Sequence, residues 1–345
     1  MVLPATVPTA SAPASAPLKE FSRRAGLFLL IGVVIYTGCY AAAEMLVYRY
    51  AHSNRFYAVR ATPPTRFDYV ILGASHAAVF DYRDMNRRLE ELTSAKIMNL
   101  AVVGGGVTVN RLLFDYFLTR HRTSAIVYVV DSFAFYSAEW NERRLQDRRL
   151  FVRAPFDPSL AVLLLGRPAT RSVAADYITG FSKINNRDRF VPDRVPEAGA
   201  RFDRRYRPVP QIDRERLAYL YPAARVEPGT FQKYLGELDA LISEAERRGM
   251  AFIAIKPPIP DRVARMIPGE AEFDGALAAI VERRRIEFHD FSHVGNDEAL
   301  FQDTDHLNRT GVLKFFESSL APVLARKLPA VAAPEGIAPK KADTR

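Results

Sequence analysis

Ser75, Asp303 and His306 are the residues of this chain whose types and spacing could carry out nucleophilic catalysis. Ser75 stands in Gly73-Ala-Ser-His76, two residues beyond an apolar run, and the other two share the stretch Asp303-Thr-Asp-His306. A serine attacks a carbonyl only when a base takes its proton, and a neutral imidazole oriented by a carboxylate is the usual device. Six histidines could serve: His52, His76, His121, His289, His293 and His306. His76 adjoins Ser75, and neighbouring side chains diverge, so it reads as a residue lining the site. His52 belongs to the segment beside an apolar N-terminal stretch, His121 to the opposite end of the elements, and His289 and His293 to solvated loops. Asp-x-x-His on one tight loop can set Asp303 against one ring nitrogen of His306 and leave the other for Ser75. Asp305, one residue before His306, is the less natural orienter.

The elements that must position these residues follow from hydrophobic patterning. Phe67–Gly73, Ala95–Val103, Ser124–Asp131, Met250–Pro258 and Ile286–Ser292 read as strands, with helical spacing between them. Thr230 is expected to cap a helix whose apolar stripe is Phe231, Tyr234, Leu235, Leu238, Leu241, Ile242 and Ala245, with Gly249 ending it. Alternation of this kind implies an α/β fold, a parallel sheet covered by helices, whose ligands bind beyond the carboxyl ends of the strands. Ser75, the Gly104-Gly-Gly106 turn, Asp131, Ser132 and His306 all fall at or after the ends of strands. Asn308 is expected to cap the last helix and steady the His306 loop, and is a further candidate lining residue.

Gly-Ala-Ser-His after the first strand, Asn99-Leu-Ala-Val-Val-Gly-Gly-Gly106 after the second and Asp303-Thr-Asp-His-Leu-Asn-Arg-Thr-Gly311 before the last helix resemble the SGNH (GDSL-type) hydrolase superfamily. The resemblance spans most of residues 67–327. It is nearest the membrane-anchored envelope branch, the alginate and cellulose O-acetylation and lipoteichoic-acid D-alanylation proteins. It implies a flavodoxin-like three-layer sandwich and a triad of Ser75, His306 and Asp303. It also implies an oxyanion hole from the Ser75 N–H and a glycine of the turn, Gly104 or Gly105. Ala74 replaces the name-giving Asp. The third block, with its oxyanion asparagine, is missing: Asp131 and Ser132 stand there, and the loss of one such donor typically costs about 10²–10³ in rate. The resemblance implies a serine acyl-esterase or O-acyltransferase acting on an envelope polysaccharide or other acylated glycan. A membrane-bound O-acyltransferase would be its partner, and neither a cofactor nor a metal is expected. The alternative is a non-catalytic scaffold of the same fold that binds a glycan or such an acyltransferase.

The 345 residues carry a net charge of +9 and one cysteine, Cys39, which excludes an internal disulfide and a cysteine-built metal site. Residues 1–24 read as a disordered tail. Residues 25–43 hold no charge and are long enough to cross about 30 Å of hydrocarbon. Lys19, Arg23 and Arg24 place the N-terminus in the cytoplasm, and Arg49, Arg55 and Arg60 weaken the contrast. The expectation is a single-pass inner-membrane anchor, a linker over 44–66 and a periplasmic catalytic domain over 67–328. Cleavage after Ala41-Ala-Ala43 is the competing reading. Residues 141–230 hold 18 Lys/Arg against 11 Asp/Glu and read as a basic lid or insertion. Anionic lipid or an acidic glycan suits that charge outside the cytoplasm, and nucleic acid does not. Residues 329–345 read as a second disordered tail.

Overall fold

The computed structural model describes residues 16–186, 201–222, 227–295 and 297–326. Its centre is a sheet of β1 (Arg66–Leu72), β2 (Ile97–Asn99), β3 (Arg122–Val129), β4 (Ala251–Lys256) and β5 (Glu287–Asp290). The strand order is β2-β1-β3-β4-β5, and every pairing is parallel. The five expected strands are these five. Alternate residues divide between two apolar cores. Phe67, Val70, Leu72, Ile126 and Tyr128 enter one, and Tyr69, Ile71, Val127 and Val129 the other. Continuous apolar runs are what strands buried on both faces require.

Parallel neighbours need a long return, and each return carries helix. Shorter helical turns are named by their residues. The longer helices are α1 (Ala16–Tyr50), α2 (Arg55–Ala61), α3 (Met85–Thr93), α4 (Val107–Leu118), α5 (Pro158–Gly166) and α6 (Arg171–Thr179), followed by α7 (Pro210–Leu220), α8 (Pro228–Arg247), α9 (Glu270–Arg284) and α10 (Arg309–Phe315). The seven stripe residues expected on α8 are all buried. Thr230 does not cap it: the helix starts earlier, at Pro228, whose fixed φ suits a first turn, and Thr230 Oγ donates to Glu227 instead.

Two boundaries differ from expectation. Helix α1 begins at Ala16 and runs on to Tyr50, so residues 16–24 and 44–50 are helix and not tail or linker. Proline is absent between Pro17 and Pro63, and the flanks are good helix formers, so nothing stops the helix at the edges of its apolar run. Its length and composition suffice to cross a bilayer. Its last turns seat on the domain through buried Ala43 and Val47. The second difference concerns residues 141–186, which are no appended lid. They form short helices that put Leu145, Leu150, Phe151, Leu160, Leu164, Val173 and Tyr177 into the larger core. Residues 1–15, 187–200, 223–226, 296 and 327–345 lie outside the described structure, and with them two short parts of the basic stretch and the C-terminal tail.

Candidate active site

From β1 the chain leads on through α3 to β2, and from β3 to β4 on the other side, so a crevice opens beyond the carboxyl ends of β1 and β3. Gly73 makes the turn out of β1 at φ +148°, where a Cβ would come within 2.9 Å of both the Val129 carbonyl oxygen and Ala77 Cβ. Only glycine fits there. The next turn of helix starts at Ser75, whose hydroxyl has no hydrogen-bond partner among the described residues. Ser75 and His306 line one cleft of about 450 Å³, together with Val103, Gly104, Trp140 and Arg216.

The His306 loop is closed at its neck by a bridge between Phe301 and Leu307 and by Gln302 N–H donating to the His306 carbonyl at 2.9 Å. Within it Asp303 Oδ1 accepts the backbone N–H of Asp305 at 3.2 Å and of His306 at 2.9 Å. The same carboxylate lies 2.9 and 3.1 Å from His306 Nδ1. Nδ1 thus carries the donated proton, which leaves Nε2 as the basic nitrogen. Burial works to raise the Asp303 pKa, but His306 beside it holds the carboxyl below its usual range.

Asp305 is also at the ring, 3.2 Å from Nδ1. Arg216 grips it in turn, with Nε 3.1 and 3.0 Å from the two carboxylate oxygens, and places Nη2 3.5 Å from His306 Nε2. Burial is the largest influence on Asp305 and would raise its pKa, yet His306, Arg216 and His76 together hold it well below the ordinary value.

The backbone N–H groups of the glycine turn differ in their partners. Gly105 N–H donates to the Val102 carbonyl at 2.8 Å and Gly106 N–H to the Trp140 carbonyl, so neither is free for an oxyanion. Gly105, expected as an alternative donor, is corrected to a turn residue. Gly104, at φ +67°, lines the cleft, and Trp140 packs where its Cβ would be. Asn110, which sequence reasoning did not single out, ties this turn to the serine turn. Its Oδ1 accepts Gly73 N–H at 3.1 Å and its Nδ2 donates to the Gly106 carbonyl at 3.0 Å.

The expected lining residues are placed elsewhere. His76 is buried, with its ring centroid 4.8 Å from that of His306 and its Nδ1 2.6 Å from Asp131 Oδ1. Its Nε2 lies 3.5 Å from Asp305 without making a hydrogen bond. Burial opposes charge on this ring, but Asp131 and Asp305 outweigh it and raise the pKa to about 10. Asp131 and Ser132 do not face the cleft. They line a small adjoining cavity of about 30 Å³ with Tyr221, Lys256 and Glu270. Asn308 is likewise structural: it caps α10 by accepting Gly311 N–H at 2.9 Å and donates to the Ala299 and Arg204 carbonyls. His121, at the opposite rim, accepts Thr65 N–H and contacts the Val59 carbonyl.

His76, Asp305 and His306 bring potential metal ligands within 4.8 Å of one another. The Arg216 guanidinium already neutralises Asp305, and His76 holds its proton at neutral pH, so the trio fits an ion-pair network better than a cation. A scan against models of known protein families finds no match for this chain, and a search of curated proteins finds none either.

Proposed function

We propose that this chain is a membrane-anchored, extracytoplasmic serine acyl-esterase or O-acyltransferase of the SGNH kind, on a flavodoxin-like three-layer sandwich, acting on an acylated envelope glycan. The observation that carries the reading is the Asp303–His306 pair held in one cleft with a Ser75 hydroxyl that has no partner among the described residues. Ser75 Oγ attacks the acyl carbonyl carbon while His306 Nε2 takes its proton. The Gly104 and Ser75 N–H groups hold the oxyanion, and Asp303 stabilises the imidazolium. Collapse breaks the ester bond, and the proton passes from His306 to the departing alcohol. Water, or a sugar hydroxyl, then attacks the acyl-serine with His306 again as base. Such an acyl group would reach Ser75 from a membrane-bound O-acyltransferase, and α1 would hold the domain on the periplasmic side with the N-terminus in the cytoplasm.

A second reading, a non-catalytic scaffold that binds a glycan or a membrane acyltransferase, is favoured by one feature. Arg216 Nη2 faces His306 Nε2 at 3.5 Å, while Ser75 Oγ makes no bond to it. A fluorophosphonate probe on the detergent-solubilised full chain separates the two. Catalysis predicts labelling at Ser75, loss of labelling in Ser75→Ala, and turnover of a short p-nitrophenyl ester lost with it. A folded protein left unlabelled supports the scaffold.

A further inference from the structure

We infer that the helical hairpin over residues 156–183 is embedded in the outer leaflet beside α1, so that the domain enters the bilayer and does not merely hang from it. This rests on the proposed membrane-spanning role of α1. Arg23 and Arg24 fix the inner edge of the apolar stretch at about Ala25, since their charged heads must reach the interface. Residues 26–35 are exposed along their length, and the first contact with the domain comes at Tyr36. From Ala25 to Ile35 the helix rises only about 16 Å, roughly half of a hydrocarbon core of about 30 Å. The other half must be crossed by residues 36–44, and along that length α1 is already in contact with the hairpin.

The contacts are specific. Tyr36 Oη donates to the Thr179 carbonyl at 2.9 Å. Tyr40 packs against Gly180 and edge-on to Phe156. Glu44 accepts Phe156 N–H at 3.1 Å and pairs with buried Lys183, which marks the outer end of the embedded stretch. The composition of α5 suits lipid, whereas α6 carries exposed Arg171 at its first turn. Helix α5 reads Pro-Ser-Leu-Ala-Val-Leu-Leu-Leu-Gly and has no polar face: Leu160, Ala161 and Leu164 point into the core, while Val162 and Leu165 are exposed. Ile178 and Phe181 are exposed as well. A helix apolar all round is expected only in a core or in a membrane, and one side of α5 has no core to cover it. The outer-leaflet hydrocarbon that surrounds α1 is continuous with this surface and is the occupant.

The test uses the full chain in phosphatidylethanolamine/phosphatidylglycerol nanodiscs. In a Cys39→Ser background, single nitroxide labels go on Leu165→Cys and Phe181→Cys in the hairpin and Val33→Cys in α1. Leu92→Cys on α3 serves as the aqueous control, exposed on the opposite face of the sheet from α5. Spin relaxation by oxygen, which partitions into lipid, is compared with relaxation by a soluble nickel chelate. Positions 165 and 181 are expected to show an oxygen-to-nickel ratio several-fold above that of position 92, shifted towards position 33. If 33 reads lipid while 165 and 181 read water, the embedding is wrong and the anchor stands. If 33 reads lipid while 165 and 181 are shielded from both agents, a protein covers the hairpin and the proposal is overturned. A water reading at 33 removes the anchor and the inference together.

Discussion

Asp305 lies between two imidazoles and a guanidinium, and the proposed chemistry depends on how these charges are shared. Asp303 alone also bonds the loop backbone and reaches Nδ1 at 2.9 Å, so Asp303→Asn disturbs the tautomer of His306. Its kcat on a short ester should fall by about 10³–10⁴-fold with KM little changed. Asp305→Asn should act chiefly by releasing Arg216. Equal kcat losses in the two variants would count against the assignment of the orienter. His76 gives a pH prediction. Burial works against its charge, but Asp131 and Asp305 raise its pKa to about 10, above an unfolded value of about 6.5. The folded state therefore binds the extra proton between those limits. This contribution to stability is complete below about pH 6.5 and fades as pH rises through 10. The difference in thermal midpoint between wild type and His76→Gln in detergent should be widest near pH 6 and closed by pH 10. A difference independent of pH would mean that His76 is not charged in the fold. The spacing of Asp303 and His306 made their pairing readable, because both sit on one loop. Arg216 carried no such signal: it is one basic residue among many in its stretch, and only the fold brings α7 over the rim.

The serine turn and the glycine turn come from different crossovers, and Asn110 on α4 joins them. Gly73 N–H would lose its partner in Asn110→Ala, at a cost of about 1–3 kcal/mol for the buried donor left unsatisfied, while the Gly106 carbonyl would lose its side-chain donor and keep the backbone N–H of residue 110. A lower thermal midpoint is expected, together with a lower kcat, because Gly104 would no longer be held opposite Ser75. Full activity in a destabilised Asn110→Ala would show that the two turns keep their register without it. Strands and the longer amphipathic helices were legible because their periodicity is set by burial on a regular lattice. Residues 141–186 were not. Their helices are too short to establish a period, their arginines are spent in pairs such as Arg144–Asp147 and Arg167–Asp115, and their apolar residues reach the core from irregular positions. Composition therefore suggested a basic lid or insertion where packing had put residues 141–186 into the core. Gly105 was misread for a related reason: a run of three glycines does not reveal which N–H the turn itself consumes.

Across the whole molecule, the long apolar helix α1 packs on the domain that carries the sheet, and an ion pair of buried Lys183 with half-buried Glu44 fastens them. Lys183 Nζ pairs with Glu44 and donates to the Ala154 carbonyl at 2.8 Å, while Asp157, close by at the start of α5, accepts Tyr116 Oη at 3.1 Å and lies near Arg60 and Arg120. These contacts run from α1 through the hairpin to α2 and α4, and so to the crevice that holds Ser75. The orientation of the cleft relative to α1 is then a property of the fold and not of a flexible tether, and under the proposed anchoring it fixes how the cleft faces the bilayer. Breaking a buried pair from one side strands a charge and costs about 3–5 kcal/mol, whereas replacing both partners by apolar groups of similar size is often neutral. Glu44→Leu and Lys183→Met should each lower the thermal midpoint in detergent strongly, and the double variant should recover most of the loss. Singles that melt like wild type, or a double variant no better than either single, would show that α1 and the domain are not coupled through this pair. The cleft would then swing freely about Tyr50, and the proposed anchoring would not fix its distance from the bilayer.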